Sequence, residues 1–207
     1  MSKRHYLIDA RHGGIVKGEY TTAPKKMFKF DDGFTVYEGV FNRDVATHLV
    51  ELLKKDCIDH TLVVTENEDI PLKERVERIN NIVKDQPNKY VLISIHGNAG
   101  GGRGDEIWTS VGETESDRLV EKFSIGYRNV MDGYNRPFRT DTSDGDIDKE
   151  SNFYILRKTL CPAFLTENGF FDNRQDAEFM VSKEGAMAFA MAHYKGIKKI
   201  EDYTSAF

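Results

Sequence analysis

The chain has 207 residues, 39% hydrophobic and 30% charged, with a net charge of −5 at neutral pH. That length suits one ordinary domain with a sizeable core. The acidic balance excludes nucleic-acid binding carried by bulk positive charge, and no run approaches the roughly 18 apolar residues of a membrane span.

Met1 to His5 runs straight into the first apolar stretch, with no apolar h-region and no small-residue cleavage site. No secretory signal is expected, so synthesis is expected in the cytoplasm. Tyr6 to Ile8 reads as a buried strand, followed by Asp9, Arg11, His12, Gly13 and Gly14. A histidine after a buried strand sits where open α/β sheets place their ligands, although a satisfied structural histidine fits the same pattern. Ile15 to about Tyr37 is a long irregular stretch with Gly18, Pro24, Lys25, Lys26, Lys29 and the turn signal Asp31-Asp32-Gly33. Structureless connections longer than about 12–15 residues are uncommon unless they have a task. This one is expected to wall a site beside His12, the alternative being a surface insertion. Glu38 to Lys55 reads as a helix with Val40, Phe41, Val45, Leu49, Leu52 and Leu53 on one face. Glu38 is either a site residue or an acid placed in the first turn by the helix dipole.

Cys57 and Cys161 are too few for a disulfide framework or a Cys-rich zinc site. Both lie in or beside apolar segments and are expected as buried free thiols. Thr61 to Thr65 is a short β-branched strand. Leu72 to Val83 is a second amphipathic helix, opened by Pro71. Tyr90 to Ile95 is a buried strand that delivers His96, again with a Gly directly after. Two strand-end histidines in one small domain suggest a shared metal site. The spacing Gly97 to Gly102 copies the start of a phosphate loop, but Arg103 and Gly104 stand where Lys and Ser/Thr are required. The following Asp105 to Ser110 looks like a strand, whereas a phosphate loop must open a helix. A permissive loop beside a site is the better reading.

Glu115 to Met131 is a third helix, followed by a second long polar loop, Asp132 to Ser151. Its segment Asp141 to Asp148 resembles a calcium loop, but aligning Gly145 to the sixth position puts Thr140 first and Ser151 twelfth, where acids are needed. An EF-hand is therefore rejected in favour of a solvated acidic turn. Phe153 to Leu156 and Ala163 to Thr166 read as short strands, the second ending in Glu167. Helices at Asp176 to Met180 and Glu184 to Lys199 close the chain, with Asp202 to Phe207 expected to fray. Strands alternating with helices give an α/β fold, one domain over residues 1–207, with a mainly parallel sheet.

His12, Glu38, His96 and Glu167 stand out from this survey. Two His and one carboxylate suit zinc with an open fourth position. A further carboxylate is what metal-assisted hydrolysis needs as its proton carrier. His-Glu-x-x-His is absent, which rules out the common zinc-peptidase helix.

The chain resembles the zinc-dependent N-acetylmuramoyl-L-alanine amidases of the amidase_3 type. Asp9 to Gly14 matches that family's Asp-x-x-His-Gly-Gly, and Glu38 with Asn42 matches its Glu and following Asn. Arg75, Asn80, Ser94 to Asn98 and Pro162 to Asn173 follow in the family's order. The resemblance runs from about Tyr6 to Ile197. It implies a twisted, mostly parallel six-stranded sheet flanked by helices. It also implies one Zn2+ per chain held by His12, Glu38 and His96, and Glu167 as the catalytic carboxylate. Asn98 is expected at the substrate. The implied reaction is hydrolysis of the amide between N-acetylmuramic acid and L-alanine in peptidoglycan, as in a phage endolysin acting on the wall after release. A non-catalytic wall-binding module and a zinc peptidase of other specificity are the alternatives. A monomer is expected, with neither nucleic acid nor membrane as partner. One departure is Arg11, where the family usually has Gly. Arg would be strained there if the position needs positive φ, and it is expected to contact an anionic substrate group.

Overall fold

The structure is a computed structural model, described for residues 4–142 and 145–204. In chain order it contains β1 (His5–Ala10), β2 (Ile15–Val16), β3 (Glu19–Tyr20), β4 (Met27–Lys29), β5 (Thr35–Tyr37), α1 (Glu38–Lys55), β6 (His60–Leu62) and α2 (Leu72–Val83). There follow β7 (Tyr90–Asn98), β8 (Asp105–Thr109), α3 (Glu115–Met131), β9 (Lys149–Glu150), α4 (Tyr154–Lys158), β10 (Ala163–Phe170), α5 (Arg174–Val181) and α6 (Lys183–Thr204).

The central sheet is six-stranded in the order β6-β1-β7-β10-β8-β9. Every neighbouring pair is parallel except β10 with β8. The chain leaves β1, passes through α1 to β6 on one side, and returns through α2 to β7 on the other. The strand order therefore reverses at β1, and the crevice beyond the carboxyl ends of β1 and β7 is where such sheets bind ligands.

Alternation along the strands sorts side chains to two buried faces. Tyr6, Ile8, Ile93, Ile95 and Phe164 pack with Phe41 and Leu49 of α1, Phe123 of α3 and Phe189 of α6. Leu7, Leu92 and Leu165 pack with Val76 and Ile79 of α2 and with Ile155 and Leu156 of α4. Burial on both faces explains why the central strands read as continuous apolar runs.

Several expectations need correcting. Phe153 to Leu156 is not a strand: Tyr154–Lys158 is a helical turn. The turn lays Ile155 and Leu156 together into the α2-side cluster, whereas a strand would send them to opposite faces. β6 is shorter than expected, and β7 and β10 run past His96 and Glu167. Ile15 to Tyr37 folds into two small hairpins, β2 with β3 and β4 with β5. Cys57 is exposed, because it occupies the left-handed turn (φ 53°) after α1 and Ile58 takes the buried position. Cys161 is buried as expected.

The acidic turn is not simply solvated. Asp148 is 0% exposed and accepts from the Thr109 hydroxyl at 2.6 Å. Burial, reinforced by Asp146 and Asp117, pushes its carboxyl up to about 7. Residues 202–204 of the terminus expected to fray belong to α6, while Ser143 and Asp144 of that turn and residues 205–207 lie outside the described residues.

Candidate active site

The turn after β1 is held from below by α1. Asn42 donates to the Arg11 carbonyl at 3.0 Å, and Arg43 to the Ala10 carbonyl at 3.1 Å. A Cβ on Gly39 would lie 1.9 Å from the Gly13 carbonyl oxygen, so only glycine lets the start of α1 come this near. That approach brings Glu38 against His12. The left-handed residue in the turn is His12 itself (φ 66°), not Arg11. The strain expected at Arg11 is therefore absent. Histidine enters this region more readily than most residues.

The first orphan N–H groups of α1 need partners, and Tyr37 gives no side-chain cap. The hairpin segment supplies them: Glu38 N–H donates to the Lys26 carbonyl and Gly39 N–H to the Tyr20 hydroxyl, each at 3.0 Å. This segment does wall the site, and it brings the Lys26 ammonium within 3.6 Å of Glu38 Oε2.

Glu38 Oε1 lies 3.4 Å from His12 Nε2 and 3.1 Å from His96 Nδ1. Ligand atoms of His12, Glu38 and His96 all fall within 4.8 Å of one another. The dipole explanation for Glu38 fails, because its carboxylate is 0% exposed and turned to the histidines.

A chain of buried groups sets the state of His96. Arg75 Nη1 bonds both oxygens of Asp9, at 2.9 and 2.8 Å. The Ser94 hydroxyl donates to Asp9 Oδ2 at 2.8 Å and lies 3.2 Å from His96 Nε2. The strands dictate this: Asp9 and Ser94 are register partners on β1 and β7, and Ser94 and His96 share a face two residues apart. With its proton given to Asp9, the hydroxyl can only accept from His96, so Nε2 carries the hydrogen. His96 Nδ1 then points a lone pair at a Glu38 oxygen, an arrangement that a cation between them would satisfy.

The electrostatics agree. Burial, with help from the nearby Arg11 charge, takes His12 down to about 2 and holds His96 well below the usual imidazole range. Burial pushes Glu38 up to about 7. His12 Nε2 and Glu38 Oε2 are buried without a hydrogen-bond partner. Two neutral imidazoles and one carboxylate with unused lone pairs fit a zinc ion with an open position.

Glu167 on β10 is the register partner of His96 on β7 and of Glu106 on β8. Gly169 (φ 87°) follows, and the β10–β7 register shifts between Glu167 and Phe170. Burial first, then the Glu38 and Glu106 charges, raise the Glu167 carboxyl well above the usual range. Its Oε2 is buried without a partner. A carboxyl with raised proton affinity beside a cluster that could hold a metal ion is suited to proton transfer.

Arg11 bears on both Glu38 and Glu167 through its charge, and its Nε is buried without a partner. The Asn98 amide donates to Glu106, the register partner of Glu167, at 3.0 Å, and its oxygen accepts from Ala99 N–H at 2.8 Å.

Sequence reasoning missed Lys26 and Glu106. Glu106 also accepts from Arg139 at 2.7 Å and Lys149 at 2.9 Å, which ties the second long loop to the site. Its only signal was an acid inside a buried strand. The glycine loop is satisfied internally, since Gly100 and Gly101 N–H groups donate to Asp172 Oδ2 at 2.6 and 2.9 Å. The chain's own carboxylate sits where a phosphate loop would hold its anion.

A doubly wound sheet with a His/Glu/His cluster that could hold a metal ion and a further carboxyl at its crevice has the make-up of a hydrolase. The chain belongs to the Amidase_3 family, N-acetylmuramoyl-L-alanine amidase, whose pattern matches residues 7–199. It is 32% identical over 137 residues to the N-acetylmuramoyl-L-alanine amidase CwlM of Bacillus licheniformis, covering 65% of this chain and 48% of that protein. It is 26% identical over 206 residues to the endolysin of Bacillus phage SPP1, covering 97% of this chain and 66% of that one. The chain thus spans about half to two thirds of these relatives. The solved N-acetylmuramyl-L-alanine amidase of Mycobacterium smegmatis shares the fold, with a TM-score of 0.75, 20% identity and 98% of each chain covered.

Proposed function

We propose that this chain is the catalytic domain of a zinc-dependent N-acetylmuramoyl-L-alanine amidase that acts on peptidoglycan as a monomer. The observation that carries this is the convergence of His12, Glu38 and His96, with lone pairs unused, beside the Glu167 carboxylate, whose buried Oε2 has no partner. Family membership supplies the substrate class. The likeness to a phage endolysin favours a role in wall lysis.

His12 Nε2, His96 Nδ1 and Glu38 would hold the ion. When bound, zinc supplies a Lewis acid that brings water's pKa to about 7 and polarises the scissile carbonyl. Glu167 accepts the proton of the attacking water and returns it to the L-alanine nitrogen as the amide bond breaks. The return matters as much as the removal, because an unprotonated amide nitrogen leaves poorly. Arg11 offers its guanidinium to an anionic group of the substrate. Asn98, engaged by Glu106, acts by shaping the far wall.

The test is a digest of purified peptidoglycan with metal analysis. We expect about one zinc per chain, new L-alanine amino groups and no new reducing sugars. His12→Ala and His96→Ala should lose both metal and activity. Cleavage confined to the glycan or to the stem peptide, or full activity without metal, overturns the reading.

A further inference from the structure

We infer that Asp117, Asp146 and Asp148 form a second cation site, separate from the His/Glu/His cluster, that takes calcium and fastens the second long loop. One carboxylate oxygen from each lies within 4.8 Å of the others. Oxygens bound to a common calcium at about 2.3–2.6 Å stand no farther apart than about 5 Å. The donors are all carboxylate oxygens, the choice of a hard cation and not of zinc.

An acidic cluster alone means little, but two of its three members here are buried. Asp148 is 0% exposed and Asp117 is 7% exposed. Asp148 spends Oδ2 on the Thr109 hydroxyl at 2.6 Å, and its Oδ1 is buried without a partner. Asp117 spends Oδ2 on the Thr114 backbone N–H as part of the α3 capping box, and its Oδ1 is likewise buried and unpartnered. Neither of these two oxygens has a hydrogen-bond partner among the described residues. The nearest lysine in sequence, Lys149, is drawn away to Glu106 at 2.9 Å. The positive end of the α3 dipole offsets only about half a charge of the carboxylates' total. Asp117 and Asp148, buried this close together with a carboxylate oxygen unpartnered on each, are costly unless a cation joins them. A calcium ion would take these oxygens and fill its remaining positions with water or carbonyls.

The site also has a task. The segment carrying Asp148 is seated on β8, with Trp108 paired to Lys149 and Thr109 to Glu150. Lys149 in turn holds Glu106 beside Glu167. An ion joining Asp148 to the start of α3 would fix this wall of the candidate active site.

The experiment uses zinc-loaded protein in calcium-free buffer. Calcium chloride should raise the melting temperature saturably and bind once per chain, with Kd at or below about 10⁻³ M. Asp148→Asn keeps the acceptor for Thr109 while removing the charge. It should weaken calcium binding at least tenfold and abolish the thermal response, and Asp117→Asn should do the same, with zinc content unchanged in both. Terbium offers a readout on the wild-type chain that needs no variant. The single tryptophan, Trp108, adjoins Thr109, which bonds Asp148. Terbium emission excited through Trp108 should appear and be quenched by added calcium. No calcium response and no sensitised emission in the wild type would overturn the inference. So would an undiminished response in folded Asp148→Asn.

Discussion

Ser94→Ala isolates one link of the chain that runs from Arg75 through Asp9 to His96. The hydroxyl is the acceptor that holds the hydrogen on His96 Nε2, at 3.2 Å. Without it the ring is free to swap tautomers and to rotate, and Nδ1 no longer presents a fixed lone pair to the ion. Losing such an outer partner typically costs about 10–100-fold in metal affinity, or about 1.4–2.7 kcal/mol. The metal-free fold should lose only about 1–3 kcal/mol, the penalty of one buried donor left unsatisfied. Arg75, which bonds Asp9 at 2.8 and 2.9 Å in the wild type, is untouched by this change, so no buried charge should be stranded. Asp9→Asn is the contrasting change. It removes the partner of a buried guanidinium and should cost about 3–5 kcal/mol of stability. Competition against a chromogenic chelator measures the first effect, and urea unfolding of the metal-free protein measures the second. Wild-type zinc affinity in Ser94→Ala, or a stability loss equal to that of Asp9→Asn, would refute the link.

Glu167→Gln should keep zinc while turnover falls on the order of 10²–10⁴-fold, the usual worth of a general acid–base group; near-normal turnover, or loss of the metal, counts against the proton-carrier role. His193 is fully buried, with Nδ1 on the Phe189 carbonyl and Nε2 at the Thr166 hydroxyl, and burial takes its pKa from 6.5 down to about 4. A depressed folded pKa means stability that is whole above pH 6.5 and is lost as pH falls towards 4. Urea unfolding at pH 7.5 and 4.5 should show the wild type losing about 2–3 kcal/mol more than His193→Gln, whereas parallel losses would exclude the effect. Gly39→Ala places a Cβ 1.9 Å from the Gly13 carbonyl oxygen and must push α1 off the His12 turn. It should destabilise by about 1–3 kcal/mol and weaken zinc together with it, and unchanged zinc affinity would show that the close approach is not what positions Glu38.

The limits of the sequence have a common physical origin. The helices Glu38–Lys55, Leu72–Val83 and Glu115–Met131 were legible to the residue, because an apolar stripe of helical period runs their whole length. Phe153 to Leu156 was not, since a short apolar run has no period to read, and neighbours decided its form. The same division runs through the site. His12, Glu38, His96 and Glu167 could be named from ordered motifs along the chain. That Ser94 sets the tautomer of His96 could not, because it depends on Asp9 facing Ser94 across two strands. Arg11 shows the converse error. Its departure from the family pattern raised the question of positive φ, yet the turn stores that conformation at His12, one residue on. Gly39, whose missing side chain lets α1 approach this turn, lies on a separate element and meets Gly13 only in the fold. Asp148 extends the point to the loops. Judged by its own segment it belonged to a solvated acidic turn, and only the packing of that segment against Thr109 and α3 turns its charge inward. Periodicity and local motifs are properties of the chain, whereas register, burial and charge convergence are properties of the sheet. The residues that bear the proposed chemistry belong to the first kind, and those that set their protonation and geometry belong to the second.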